Sequence, residues 1–351
     1  MEILALQHFG DYSMKKTQVA LAALALVAST AVLADGVKVY GTVDVGVLAA
    51  DNGRVQMAGA GNNSTTLVGL TGGENLGNGL KASYALEMGI NAKNGALGNG
   101  GNLSNTSVFN RVASVGLSGE SMGITLGQQI SPFIVAELAG STAVGGNGAF
   151  VPALYVMNGG NLAGVTTAAT GSTGGFFVPD AVNVNASVAG VGLNVMSRAG
   201  GGGATESKYS AMSASTALAG ANLAFGYQKI ETNGTKTVNR VLAANYQIGD
   251  IRVNGAIASN DISGTNNNGS YVGASMPLSS AVSIGFTYAR NSITSIDTTR
   301  IASLEYRLSP QTFTYVNYAN FGNSAMGVYA NDQGRFTSTE SLLSVGLSHS
   351  F

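Results

Sequence analysis

The amino-acid sequence predicts an all-β fold, a single 16-stranded antiparallel transmembrane β-barrel. Three observations carry this expectation. Apolar residues recur at every second position from residue 35 onward, short turns alternate with long loops, and charge is scarce. Of 351 residues only 10% are charged, with a formal net charge of −1 and 45% apolar content. A soluble domain carries about 25% charge. Low charge with high apolar content excludes a disordered acidic or basic chain. The near-zero balance removes the basic field that nucleic-acid binding needs, so no nucleic-acid partner is expected. The absence of Cys excludes disulfide, Cys–zinc and thiol chemistry. The 50 Gly follow no Gly-X-Y period, which excludes collagen.

The elements follow in order. Residues 1–13 (MEILALQHFGDYS) fit no element and read as a start-site artefact ahead of Met14. Residues 14–34 read as a signal peptide: Met14-Lys15-Lys16 is basic, Thr17–Leu33 is apolar, and Val32-Leu33-Ala34 has the small-residue pattern of a cleavage site. A buried or spanning helix is the alternative, but the stretch is barely long enough and lacks a charged stop-transfer flank. Residues 35–351 then form one barrel domain with 15 bases, 16 acids and a lone histidine, His349. An export signal without Cys is compatible with the periplasm or outer membrane of a Gram-negative cell.

The strands are read from alternation. Val37, Val39, Val43, Val45 and Val47 alternate with Lys38, Tyr40, Thr42, Asp44 and Gly46. Leu80, Ala82, Tyr84, Leu86 and Met88 alternate with Lys81, Ser83, Ala85 and Glu87. The same pattern recurs at 242–248, 282–289 and 343–351. Successive strand side chains face opposite sides of a sheet, so each segment has one apolar face and one small or polar face. A soluble β-sandwich also alternates, but its exposed face should be rich in Lys, Glu and Arg. Here that face is Ser, Thr, Asn, Gly and Ala.

Short turns are expected near 73–78, 119–122, 189–190, 219–221, 249–250, 279–280 and 309–311. Longer loops are expected near 51–64, 92–105, 199–206, 232–236, 261–268, 292–297 and 322–339, and one connection, 131–180, is far longer. The breaks leave 16 segments. Short turns on one side and long loops on the other is the layout of an outer-membrane barrel.

Several blocks resemble the general porins of Gram-negative outer membranes, particularly the β-proteobacterial type. These are the first-strand pattern Tyr40-Gly41-Thr42-Val43-Asp44, the block Gly72-Gly73-Glu74-Asn75-Leu76-Gly77-Asn78-Gly79-Leu80-Lys81-Ala82, and Phe109 to Gly119. Tyr306-Arg307-Leu308-Ser309 and the terminal Gly346-Leu347-Ser348-His349-Ser350-Phe351 complete the series. The resemblance spans nearly all of residues 35–351. It implies a trimeric, water-filled barrel for passive diffusion of small solutes and ions, with residues 131–180 as a constriction loop folded into the lumen. It further implies outer-membrane lipid and lipopolysaccharide as surroundings. Leu347, His349 and Phe351 would form the signal read by the barrel-assembly machinery.

With the apolar face toward lipid, Lys38, Asp44, Lys81, Glu87, Arg252, Glu305 and Arg307 are expected to line the pore, together with Arg111. A Lys or Arg on the lipid face would cost about 2–4 kcal/mol at mid-membrane. Arg240 and Arg290 share the lipid-facing parity and are expected at the rim. By the resemblance, Thr42, Leu67, Arg111 and Gln128 stand where the family's wall bases lie, and Arg111 alone is kept. Glu137 is the loop acid opposite them. The expected constriction is therefore weakly selective and less polar than that of a family relative, because charge rings set ion preference. Arg111 as a satisfied structural residue, and Glu137 as a solvated loop residue, are the other readings.

Enzyme chemistry is not expected. His349 has lipid-facing parity, and Gly59-Ala60-Gly61 and Gly190-Val191-Gly192 lack the strand–helix setting of a phosphate cradle. No cofactor or metal-ligand spacing is found. A barrel serving mainly as an adhesin or envelope structure is the alternative function.

Overall fold

The computed structural model describes residues 35–59, 62–98, 107–141, 144–146, 153–154, 156–158, 176–200, 208–232, 234–262, 264–292, 298–322 and 340–351. The expected start-site artefact and signal peptide lie outside the described residues.

The described chain is a closed antiparallel barrel. Its wall strands are β1 (Asp35–Ala50), β3 (Leu67–Gly77), β4 (Leu80–Asn91), β6 (Val112–Ser118), β7 (Met122–Ile130), β8 (Phe177–Val188), β9 (Val191–Arg198) and β10 (Lys208–Leu218). They continue with β11 (Ala221–Thr232), β12 (Thr235–Ile248), β13 (Ile251–Ile262), β14 (Thr265–Pro277), β15 (Val282–Asn291), β16 (Thr298–Arg307), β17 (Thr312–Phe321) and β18 (Ser341–Ser350). Two short segments, β2 (Val55–Ala58) and β5 (Ala96–Leu97), extend the hairpins of β1 and β4. The 16 expected wall strands are all present.

Closure is made by β1, which pairs with β18 on one edge and β3 on the other. A closed ladder leaves no strand edge unpaired, which is what a membrane interior demands of a sheet. The terminal residue joins the seam: Phe351 N donates to Gly41 O at 3.0 Å, and Gly41 N donates to Phe351 O at 3.1 Å.

The faces follow the alternation. Val37, Val39, Val43 and Val47 are exposed on the outside, as are Leu343, Val345 and Leu347. Asp44, Leu48 and Ala50 point inward and are buried. The turn-side ends carry tight turns at Asn78-Gly79, Ala189-Gly190 and Ala219-Gly220, where both residues have positive φ. That geometry matches the right-handed twist of the strands it joins. The first turn therefore lies beyond the expected 73–78, because β3 continues through Glu74 to Gly77. The loops expected at 232–236 and 261–268 are also shorter than expected. There β11 meets β12 at Thr232 and Thr235, and β13 meets β14 at Ile262 and Thr265. Polar Thr and Asn in these stretches continue the ladder because strands above the bilayer no longer need an apolar outer face.

After β7 the chain forms the short helix α1 (Pro132–Leu138). Ser131 caps it, its side-chain oxygen accepting from Phe133 N at 3.1 Å, and Pro132 occupies the first turn, where a missing N–H costs nothing. Phe133, Ile134 and Ala136 bury themselves against the inward-facing Ala224, Val241 and Ala243. Burial of each large side chain is worth about 1.5–3 kcal/mol. The approach needs small wall residues. A Cβ on Gly226 would lie 2.9 Å from Ala136 and 3.2 Å from the Phe133 ring.

Candidate functional site

The inner wall is built of alternate residues of every strand, and three arrangements on it determine what a solute would meet. The first involves β1, β4 and the residues before β6. Glu87 and Tyr40 come from neighbouring hairpins, and Tyr40 Oη donates to Glu87 Oε1 at 2.6 Å. Arg111 Nε donates to Glu87 Oε2 at 3.3 Å, and its guanidinium lies 4.8 Å from the centroid of Phe177. Gln128 Nε2 donates to Arg111 O at 2.9 Å. Arg111 is thus buried, ion-paired and stacked. Thr42 and Leu67 are direct partners across β1 and β3, two residues along from the Tyr40–Gly69 pair and on the same face. Thr42 Oγ1 also meets Ser350 Oγ at 3.0 Å.

The second arrangement surrounds Asp44, which is 0% exposed. Its Oδ1 accepts from Asn62 N at 2.8 Å, Asn63 N at 3.2 Å and Tyr315 Oη at 2.8 Å. Its Oδ2 accepts from Ser64 N at 3.0 Å. Glu305 plays a parallel part, its Oε1 accepting from Asn63 Nδ2 at 3.0 Å and Gly145 N at 2.9 Å. Two of the three expected pore-lining acids, Asp44 and Glu305, therefore hold loop backbone against the wall. A carboxylate that accepts several N–H bonds is well satisfied in a buried place.

The third arrangement carries α1. Glu137 is 0% exposed and faces the wall, with Oε1 accepting from Asn158 Nδ2 at 2.9 Å. Burial pushes its carboxyl up to about 8, opposed by the Asn158 hydrogen bond. The expectation of an acid offered to the lumen is corrected here: an apolar helix face drew the whole segment onto the wall and took Glu137 with it. The residues α1 leaves exposed are Val135 and Leu138. α1 packs on β10, β11 and β12, whereas Arg111 belongs to the arc of β4 and β6.

An amide ladder supports this third group. Gln228, Asn239, Asn260 and Asn267 are successive register partners across β11 to β14. Gln228 Nε2 donates to Asn239 Oδ1 at 3.1 Å, and Asn239 Nδ2 to Asn260 Oδ1 at 2.6 Å. Asn260 Nδ2 reaches Asn158 Oδ1 at 3.3 Å, which links the ladder to Glu137. Ser131 Oγ and Tyr209 Oη hydrogen-bond to each other, and Tyr209 Oη donates to Gln228 Oε1 at 3.2 Å. Asn254 Nδ2 and Asn245 Nδ2 donate to Gly140 O and Ala139 O, both at 2.7 Å. Residue-type reasoning missed this ladder. Its signal was present as amides at inward parity on consecutive strands.

The other expected pore residues remain at the turn-side end of the wall. Lys38, Lys81 and Arg307 are exposed, and Arg252 is half-buried. Arg307 Nη1 donates to Pro310 O at 3.3 Å. At the seam, His349 is exposed on the outer face, with Nδ1 2.8 Å from Thr312 Oγ1. Leu347 is exposed beside it, and the Phe351 ring covers Gly41.

Comparison with known proteins agrees with this architecture. The profile of the Gram-negative porin family matches residues 20–325. An outer membrane porin protein of Bordetella pertussis is 35% identical over 127 residues, 31% of this chain and 32% of that protein. Outer membrane porin protein 32 of Delftia acidovorans is 39% identical over 125 residues, 34% of this chain and 33% of that protein. The chain thus spans about a third of the length of the curated relatives it matches. Among solved structures, the anion-selective porin from Comamonas acidovorans superposes with a TM-score of 0.68 at 21% identity, covering 90% of this chain and 99% of that one. OmpF of Salmonella typhi gives 0.66 at 14% identity, covering 91% and 98%. With a closed 16-stranded wall, an apolar outer band and a family match over most of its length, the chain belongs to the Gram-negative porin family of the outer membrane.

Proposed function

We propose that this barrel is a passive channel, through which small hydrophilic solutes and ions diffuse with weak charge selectivity. The observation that carries the reading is the face α1 leaves open: Val135 and Leu138 are exposed, while Glu137 is turned into the wall. Arg111, the base that would oppose Glu137 across a narrowing, is paired with Glu87. A charge that is buried or paired contributes little transverse field, and ion preference follows from the charges that remain. Residues 131–180 act as the constriction loop, with Thr42, Leu67, Gln128 and Arg111 on the facing wall.

The remaining lumen charges favour anions slightly. Glu87 is paired with Arg111, and Asp44 and Glu305 are engaged by loop segments, whereas Lys38, Lys81 and Arg307 are exposed at the turn-side end of the inner wall, with Arg252 half-buried there. The protein works as a homotrimer among outer-membrane lipid and lipopolysaccharide. It is delivered by its signal peptide, residues 14–34, and inserted by the barrel-assembly machinery through Leu347, His349 and Phe351.

Reversal potentials in a planar bilayer under a salt gradient test the reading. The expected anion-to-cation permeability ratio lies slightly above unity. A strongly selective pore would contradict the neutral constriction. A folded barrel with no ion current would end the channel reading and leave an adhesive or structural barrel.

A further inference from the structure

Beside the end of α1, the inner wall of β13 carries a base with no acid to meet it. Arg252 lies on the inner face, one inward position nearer the turns than Asn254, whose Nδ2 donates to Gly140 O at 2.7 Å. In register it stands between Gln247 and Ser275. Two residues along a strand span about 7 Å, which puts the guanidinium within side-chain reach of the end of α1. Among the described residues Arg252 makes no ion pair, and its buried Nε has no hydrogen-bond partner. Asp250, the acid nearest to it in sequence, is exposed in the turn.

Next to this base lies an apolar patch. Val135 and Leu138 are three residues apart on α1 and share one face of it. They are 50% and 38% exposed, although Phe133, Ile134 and Ala136 of the same helix are buried on the wall. Asn245 and Asn254 hold the carbonyls of Ala139 and Gly140, which brings Leu138 to the strands that carry Arg252 and Gln247.

A solute that suits both parts has one anionic head and an apolar body. The placement of the other bases disfavours a second anionic group. Ser275, Gly285 and Ser303 continue the register from Arg252 to β16, where Arg307 lies four residues beyond Ser303. Three inter-strand spacings and that offset put Arg307 roughly 20 Å away along the wall. Its guanidinium is committed elsewhere, donating to Pro310 O at 3.3 Å. Lys38 and Lys81 belong to β1 and β4, on other arcs of the barrel. The second carboxylate of a small diacid would therefore be set against Val135 and Leu138, where loss of its hydration is costly.

We propose that Arg252, Val135 and Leu138 form a lumen site for monocarboxylates with an aromatic or branched aliphatic body, a solute preference that rests on the channel reading. The guanidinium fork takes the carboxylate through two parallel hydrogen bonds, and the body covers the two apolar side chains.

Occlusion of the chloride current of the full barrel in a planar bilayer tests this, with phenylacetate, acetate and succinate as probes. Phenylacetate should half-occlude the current at about one-tenth the concentration that acetate needs, the effect of covering roughly 60 Å² of apolar surface. Succinate should do no better than acetate. Arg252→Gln should weaken phenylacetate about tenfold, and Arg252→Lys should restore part of the loss. Val135→Ser with Leu138→Ser should bring phenylacetate to the level of acetate, in a barrel whose gel mobility shows it folded. Phenylacetate and acetate acting alike on the unaltered barrel would overturn the proposal. So would succinate matching phenylacetate, or phenylacetate holding equally well to the Arg252→Gln variant. Saturation-transfer NMR of phenylacetate on the detergent-solubilised barrel separates the two readings. A signal that Arg252→Gln removes, in a barrel with no chloride current, keeps the site and ends the channel. A chloride current with neither that signal nor occlusion ends the site and keeps the channel.

Discussion

Asn158 donates its side-chain amide to the buried carboxyl of Glu137 at 2.9 Å, and this bond joins α1 to the amide ladder of the barrel wall. The other oxygen, Oε2, finds no hydrogen-bond partner among the described residues. A neutral carboxylic acid suits this place better than a carboxylate does, because an unpaired buried charge is far costlier than a buried hydroxyl. Burial accordingly raises the group from 4.5 to about 8.

The sign of the resulting pH effect is fixed. The docked segment binds the proton more tightly than the undocked one, so docking is fully favoured below about pH 4.5 and its advantage is lost as pH rises through about 8. Channel noise and protease sensitivity of the segment should therefore increase on the alkaline side. Glu137→Gln keeps an acceptor for Asn158 without the ionisation, and should flatten that pH dependence. Glu137→Ala leaves the Asn158 amide unsatisfied and should cost about 1–3 kcal/mol of docking at acidic and neutral pH, a difference that shrinks above about pH 8 as the wild-type acid ionises.

Asp44 and Tyr315 predict a second, coupled effect. Tyr315→Phe removes one donor and leaves three backbone donors on Asp44, a loss of about 1.5–3 kcal/mol for a bond to a charged group. Asp44→Ala orphans all four donors and should cost more than Tyr315→Phe. The double variant should be no worse than Asp44→Ala alone. Because the chain has no Trp, the readout is the temperature at which the folded band is lost on a gel.

Reversing the turn-side bases tests the origin of the slight anion preference. Lys38→Glu with Arg307→Glu should shift the reversal potential toward cations, with no change in folded-band mobility. Arg111→Gln should instead act mainly on stability, because Arg111 is already paired with Glu87.

At the seam, backbone and ring contribute separately. Phe351→Ala keeps both hydrogen bonds with Gly41 and should leave a closed, heat-modifiable barrel. Deletion of Phe351 removes both bonds and should lower the unfolding temperature further. Gly41→Val should be worse than Phe351→Ala. A Cβ there would lie 2.5 Å from the ring and 2.7 Å from Leu67 O, and the latter cannot move away.

Ala189 and Ala219 have φ of 50° in tight turns. Asn tolerates that region better than Ala, as Asn78 does in the corresponding place at 51°. Ala189→Asn and Ala219→Asn should each raise stability by about 0.5–1 kcal/mol, measurable as a higher unfolding temperature.

Much of the barrel was legible in the sequence because strand periodicity is local. Val43, Asp44 and Val45 declare their faces without reference to any distant residue. The extended hairpins at Thr232–Thr235 and Ile262–Thr265 were harder to read. Above the bilayer the outer face becomes polar and the alternation loses contrast. The site was less legible than the wall. Parity put Asp44, Glu87 and Glu305 on the inner face, but parity says nothing about what covers a residue there.

The sequence by itself determined the strand count, the inward and outward faces, and the scarcity of lipid-facing charge. Each of these depends on neighbours along the chain. Only the tertiary structure decided which inner charges are still offered to water. Asn62, Asn63, Gly145 and Asn158 reach Asp44, Glu305 and Glu137 from other segments, 18 to 242 residues away in the chain. Contact with those segments, rather than residue type, made anchors of two wall carboxyls, Asp44 and Glu305, and of the loop acid Glu137.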